Sequence, residues 1–340
     1  LPDISKINAL AIGSVSKVDG LAKASISTID GVSVPGAFIL DVYTDAYAAY
    51  SVRQLKTGVT IAMRVRRDTA GGTGDDDEAD VAFDTTLSSP TISLDSAVSN
   101  FSATSNATNL GQFLNATGYT DADSLTVVAD GFTVEWKDQS GSGYHVEQTT
   151  YGSQPQIFDS ASPTDLMLDN GKPALAFDGT ATGLTVVDAG INFLQPNTAV
   201  AVAQTNVNTG GSGSRQYVYD NGATQRNLLA LRGSFTNKPS IWAGAFLAST
   251  SSTTTTQALY FSLYNGTSSQ IGIDGATATT GNANTFAAQS AINIGMNNTN
   301  ALDFLDGNIQ EVIMWNADQT SPTNNRTGIE TDINGFFGIY

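Results

Sequence analysis

Residues 134–148 read VEWKDQSGSGYHVEQ: a short alternating run closing on Trp136, a string of turn-forming residues, and a second short run from Val146. In an extended segment side chains alternate between faces, so Val134 and Trp136 share one, and a tryptophan there is sized for a core. Asp138 and Ser140 are residue types that bond turn amides through short polar side chains. Gly141 and Gly143 admit the positive φ of a tight reversal. The stretch therefore reads as strand, reversal and strand, with the lone His145 packed in the turn.

The same pattern extends in both directions. VTIAMRV (59–65), SLTVVA (124–129), FTVEWK (132–137), ALAF (174–177), TAVAVAQ (198–204), QYVYD (216–220), ALYFSLYN (258–265), INIGM (292–296) and IQEVIMW (309–315) are short β-branched or aromatic runs. Gly, Asn, Ser and Asp clusters separate them, as in a sandwich or jelly roll. Two segments depart from this. Asp45 to Leu55 contains no Gly or Pro and spaces Tyr47, Tyr50, Val52 and Leu55 as a short helix would. Near the C-terminus, Ile329, Ile333 and Phe336 predict a helix over about 324–337.

Composition excludes several classes of function. Among 340 residues, 32 acidic side chains oppose 15 basic ones for a formal charge of -17. Such a chain repels nucleic-acid phosphate, and RVRR at 64–67 is too small a basic cluster to offset it. The absence of cysteine excludes disulfides, thiol catalysis and thiolate zinc sites. No apolar run approaches the roughly 20 residues of a membrane-spanning helix. No phosphate-cradling or dinucleotide-binding motif is present, nor a Ser-His-Asp arrangement.

Two clusters are candidate binding sites. Asp75, Asp76, Asp77, Glu78 and Asp80 crowd a glycine-flanked loop, and oxygen ligands on a flexible loop are what Ca²⁺ takes. The spacing is not that of an EF-hand, so a solvated acidic loop partnered by Arg64, Arg66 and Arg67 is the competing expectation. Calcium is thus the one cofactor candidate, and no other cofactor is expected. Tyr217, Tyr219, Trp242, Tyr260 and Tyr264 are candidates for a glycan-stacking surface. Core packing is the default for such rings, and for Trp242.

In order and spacing, AYSVRQL (49–55), MRVRRDTAGGTGDDDEADVAF (63–83), VEWKDQSGSGYHVEQ, QPQIFD (154–159) and NGKPALAFDG (170–179) resemble the catalytic β-sandwich of the arabinofuranosidase B family and related domains of phage virion proteins. The closing segment, FLDGNIQEVIMWNADQTSPTNNRTGIETDINGFFGIY, resembles the last strand and helix of laminin G or concanavalin A-like sandwiches. The resemblance implies an all-β, concanavalin A-like jelly-roll sandwich with a short C-terminal helix. It also implies a Glu nucleophile on a mid-domain strand and an Asp acid after a strand like INIGM. Between Leu228 and Gly275 there is no Glu, and Asp274 is the sole acid. Asn297 and Asn298 stand where the acid is expected, and an amide has no proton to donate at neutral pH. Asp303, Asp306 and Glu311 follow closely as candidates for a displaced acid.

The N-terminus carries a repeat of eleven residues: Ile4, Val15 and Ile26 open the units, Ile7, Val18 and Ile29 come three later, and Asn8, Asp19 and Asp30 follow. Each unit is too short to bury a core alone. The expectation is an attachment or oligomerisation arm over 1–36 and a sandwich over 37–340. The competing expectation is hairpins packed on the chain's own sandwich. Arms of this kind are similar to those preceding sandwiches in phage and marine-virus structural proteins. Taken together, these features lead to the expectation of a non-enzymatic virion structural protein, of capsid-decoration, head-fibre or tail-fibre type. It would sit at the virion surface, with other virion proteins, copies of itself and a host-surface glycan as partners. The alternatives are a carbohydrate-active protein, either a glycan-binding module or an arabinofuranosidase-like hydrolase, and a bacterial surface or appendage subunit. These would be extracellular or at the cell surface.

Overall fold

The computed structural model describes residues 38–340 apart from 208–214, 223–225, 233–236, 298–302 and 323. Within the first 37 residues it describes six two-residue strands. These form one antiparallel pair per repeat: Lys6–Ile7 with Leu10–Ala11, Lys17–Val18 with Leu21–Ala22, and Thr28–Ile29 with Val32–Ser33. Each unit is thus a miniature hairpin advancing by the period read in the sequence. Ile4, Val15 and Ile26 lie outside the described residues, as does the expected boundary near residue 36.

The remainder is an all-β sandwich with a C-terminal helix. Its centre is the Asn197–Thr205 strand, paired antiparallel on one side with Ala258–Tyr264 and on the other with Asp306–Trp315. Every residue of Asn197–Thr205 is buried. Alternating Ala and Val make this workable, because the small Ala199, Ala201 and Ala203 and the larger Val200 and Val202 point to opposite faces. Asp306–Trp315 also pairs with Ala46–Ser51 and with Leu175–Asp178.

A second series of antiparallel pairings runs Phe246–Ala248, Ser240–Trp242, Asn227–Arg232, Gln216–Asn221, Ala288–Ile294 and Leu184–Phe193. It continues through Val146–Glu147 to Asp130–Trp136, Ile61–Asp68 and Glu78–Ala82. The two series meet through Gln156–Phe158, which pairs with both Asp130–Trp136 and Leu175–Asp178, so the network is nearly closed. Between the layers the Tyr219 and Tyr264 hydroxyls lie 2.9 Å apart, and Tyr264 donates to the Leu228 carbonyl. Burial pushes the Tyr219 hydroxyl up to about 12. The Arg326–Phe337 helix covers the Ala258–Tyr264 strand, with the Arg326 guanidinium 4.6 Å from the Phe261 ring centre.

The turn after Trp136 forms as its residues require. Asp138 Oδ1 accepts from the amides of Ala49 and Ser140, and Oδ2 from the Gly143 and Tyr144 amides and the Ser140 hydroxyl. Gly141 and Gly143 take φ of 98° and 81°. His145 Nδ1 accepts from the Asp138 amide, and Trp136 is fully buried with its indole N–H on the Ser51 carbonyl.

Two expectations are corrected. Ala46–Ser51 is a strand, because Asp306–Trp315 offers it a ladder that outweighs the local helical spacing. SLTVVA at 124–129 forms no strand, and Val127 is exposed. The C-terminal helix spans Arg326–Phe337, close to the predicted range.

Candidate functional site

A row of side chains crosses four strands on one face of the second layer. Asp220 is the register partner of Leu228, Leu228 of Trp242, and Trp242 of Phe246. Directly opposed residues in antiparallel strands project to the same side, so a carboxylate, an apolar spacer and two aromatic rings are aligned. Leu228 of this row packs with Tyr217 and Ala230 in a small apolar cluster separate from the main core, against which the partly exposed Trp242 and Phe246 pack. Phe286 meets Trp242 edge-on, with ring centres 5.5 Å apart.

Polar groups ring this platform. Gly222 follows the strand at φ 95°, and Arg226, just before the next strand, stands beside Asp220. Arg226 Nη1 lies 3.0 Å from Asp220 Oδ2 and 2.9 Å from Asn297 Oδ1, while its guanidinium carbon is 5.5 Å from the Trp242 ring centre. Asn297 Nδ2 donates to Asp303 Oδ2 at 3.1 Å, and Arg215 Nη1 stands 3.7 Å from that same oxygen. Arg215 also lies over the Phe246 ring, at 6.0 Å. Two carboxylates, Asp220 and Asp303, are therefore joined through a guanidinium and an amide at the edge of an aromatic platform. Burial raises the pKa of the Tyr217 hydroxyl; the charges of Arg215 and Arg226 oppose this and that of Asp303 adds to it.

Aromatic faces stack on the C–H face of a sugar, and guanidinium and amide groups bond its hydroxyls. A pair of carboxyl groups flanking one sugar is the minimum for acid-assisted glycosidic cleavage. The platform and its polar rim supply the stacking and hydrogen-bonding groups; of the carboxylates, Asp303 is 8% exposed and Asp220 is fully buried.

The sequence candidates fall elsewhere. Tyr217, Tyr219, Tyr260 and Tyr264 are at most 2% exposed, so the expected tyrosine glycan surface is corrected to core. Trp242, assigned to the core by default, is instead the partly exposed ring. The expected calcium ligands serve another role. Asp76 and Asp77 bind Arg66 and Arg67, Glu78 and Asp80 bind Arg64, and Asp75 accepts from the amides of Thr69 and Gly71. Each of these carboxylates thus has an arginine or turn amides as partners, and no group of three or more His, Cys, Asp or Glu side chains placed to hold a metal ion occurs among the described residues.

Of the candidates for a displaced acid, Glu311 is fully buried on Arg53 and Ser51, and Asp306 holds the Asn206 side chain. Asp303 alone joins the platform, one hydrogen bond behind Asn297. Asp274 lies in a turn, accepting from the Leu259 amide, and burial raises its pKa. Sequence reasoning missed Asp220, Arg226, Arg215 and Phe246, which strand register brings together and no local pattern marks.

No family model matches the sequence, and no curated protein matches it. The fold is similar to solved structures of arabinofuranosidases. One is an arabinofuranosidase complexed with arabinofuranosyl-α-1,2-xylobiose, at 13% identity and a TM-score of 0.53. Two others are GH54 α-L-arabinofuranosidases, a mutant soaked with 4-nitrophenyl α-L-arabinofuranoside and an enzyme soaked with a cyclic sulfate inhibitor. Both are 14% identical, with TM-scores of 0.52 and 0.51. In all three the match covers 87% of this chain and 64% of the other. The chain thus spans a little under two thirds of the length of these structures, and at such identities the likeness shows the fold. The structures it resembles are carbohydrate-active enzymes and not virion components. That overturns the expectation of a non-enzymatic virion structural protein in favour of the carbohydrate-active alternative.

Proposed function

We propose that the chain is a carbohydrate-active protein whose sugar site is the Trp242 platform, and that it acts on the glycosidic bond of a pentose-containing glycan. The observation that carries this reading is the partly exposed Trp242 with Arg226 at its face, from which Asn297 leads to Asp303. The pentose assignment comes from the sandwich's likeness to arabinofuranosidases.

In this reading the Trp242 face receives the sugar, and Arg226 and Arg215 orient its hydroxyls. Asp303 acts as the acid, delivering a proton to the departing glycosidic oxygen while a solvent water bonds the anomeric carbon and gives up its own proton to solvent. It replaces the acid expected at Asn297, whose amide holds the Asp303 carboxyl in place. Asp220, fully buried and 3.0 Å from Arg226 Nη1, is a positioning residue that holds the Arg226 guanidinium at the platform.

The test is hydrolysis of 4-nitrophenyl α-L-arabinofuranoside and of arabinoxylan by the wild type, Asp303→Asn, Asp220→Asn and Trp242→Ala. Loss of an acid typically lowers turnover by about 10²–10⁴-fold, so Asp303→Asn is expected to lose at least 10²-fold in kcat. Trp242→Ala is expected to raise KM. A wild type inert on both substrates, or an Asp303→Asn variant as active as the wild type, would overturn the assignment.

A further inference from the structure

A second row crosses the sheet at a different place. Arg66 is the register partner of Phe132, Phe132 of Gln156, and Gln156 of Ala176, so four strands present these side chains on one face. They floor a cavity of about 350 Å³ walled by Tyr151 and by the turn from Asp178 to Thr182. That volume lies within the range of small-molecule sites, roughly 300–1,000 Å³. None of the cavity's lining residues belongs to the Trp242 platform.

Arg66 is the unusual member. It is 2% exposed yet lines the cavity, with its guanidinium carbon between two rings, 4.9 Å from the centre of Phe132 and 4.6 Å from that of Tyr151. Nε donates to Gln154 Oε1 at 2.8 Å, and Nη1 reaches Asp76 at 2.7 Å and Asp68 at 3.1 Å. Nη2 has no acceptor among the described residues. That donor opens on the cavity, where an oxygen of a ligand can take it in place of water. Beside it, Gln156 donates Nε2 to the Phe158 carbonyl, leaving Oε1 without a donor among the described residues. Above them the Tyr151 ring is 48% exposed.

We propose that this cavity is a second sugar-binding site, taking one neutral ring of an oligosaccharide. A pair of neighbouring sugar hydroxyls both donates and accepts, matching Gln156 Oε1 and Arg66 Nη2, while the C–H face of the ring lies on Tyr151. Charge selects against acidic sugars, since the single positive charge of Arg66 is set among Asp68, Asp76 and Asp178. The choice of ligand class rests on the carbohydrate reading of the fold; the site itself does not depend on the Trp242 platform.

The experiment is affinity electrophoresis of the full chain in gels containing arabinoxylan or polygalacturonate, comparing the wild type with Tyr151→Ala and Trp242→Ala. Melting curves confirm that each variant is folded. Loss of a stacking ring should weaken retardation by arabinoxylan about fivefold in Tyr151→Ala, with Trp242→Ala retaining at least half. Retardation of Tyr151→Ala equal to that of the wild type, or stronger retardation by polygalacturonate than by arabinoxylan, overturns the proposal. So does a wild type that neither gel retards. Binding lost only in Trp242→Ala also overturns it, while leaving the platform assignment standing. The hydrolysis assay tests that assignment separately.

Discussion

Asp274 illustrates how one residue sets a pH response. Its carboxyl is partly buried, and desolvation holds its pKa above the ordinary carboxylate value against the Leu259 amide that bonds it. A carboxyl with a raised folded pKa binds its proton more tightly in the folded state, so ionising it costs stability. That cost is absent below the unfolded value, about 3.9, grows as pH rises, and is complete above the folded value. Asp274 also adds to the raised pKa of the buried Glu330, whose first cause is its own desolvation. Asparagine keeps the Oδ1 acceptor and tolerates the φ of 51° found here. Asp274→Asn is expected to raise Tm at pH 7 by about 2 °C and to leave it unchanged at pH 3, as read by calorimetry. A gain of equal size at both pH values would mean that charge is not its cause. The turn at Asp138 is the opposite case, since four of the five hydrogen bonds its carboxylate accepts come from residues close to it in sequence, the Ala49 amide supplying the fifth. That site was legible from KDQSGSGYH, whereas the burial of Asp274 depends on Arg326–Phe337, distant in the chain.

At the scale of elements, strand pairing decides which local preferences survive. Asp306–Trp315 pairs along its length with Asn197–Thr205, while Leu175–Asp178 and Ala46–Ser51 share its other edge. Gly307, at φ 156°, is where this crossing is tightest. A Cβ there would lie 2.1 Å from the Gln204 carbonyl oxygen, a backbone atom unable to move without parting the strands. Gly307→Ala is therefore expected to cost at least about 3 kcal/mol in urea denaturation, above the usual range for overpacking because backbone must shift. A loss below about 1 kcal/mol would show that the pairing relaxes freely. Strands such as TAVAVAQ and IQEVIMW were readable because buried strands are continuous apolar runs. Ala46–Ser51 was not, since its Ala and Tyr spacing suits a helix equally and only its neighbour's free edge settles the matter.

For the whole molecule, Arg53 links parts of the chain that are far apart in sequence. It meets Glu311 at 2.7 Å and Asp332 at 2.8 Å, joining the segment after the first sandwich strand to the last strand and the C-terminal helix. Burial by itself would lower the Arg53 pKa, but the adjacent carboxylates of Glu311 and Asp332 raise it overall. Removing one partner of a buried pair leaves the other charge uncompensated, so Arg53→Met is expected to cost about 3–5 kcal/mol. The double variant with Glu311→Gln should recover part of that loss, measured by denaturant melts. If the two losses simply add, the pair is not coupled.

The sequence by itself determined the all-β class, the reversal after Trp136, the terminal helix and the period of the N-terminal hairpins. These rest on neighbours a few positions apart, where residue type directly restricts the backbone. Only the tertiary structure decided which aromatics are exposed and which carboxylates meet. Tyr217 and Trp242 both lie on β runs of similar composition, yet one ends fully buried and the other partly open. The union of Asp220 with Arg226, Asn297 and Asp303 depends on strand register and on which sheet face each strand presents. Those are set by long-range packing and leave no local trace in composition or spacing.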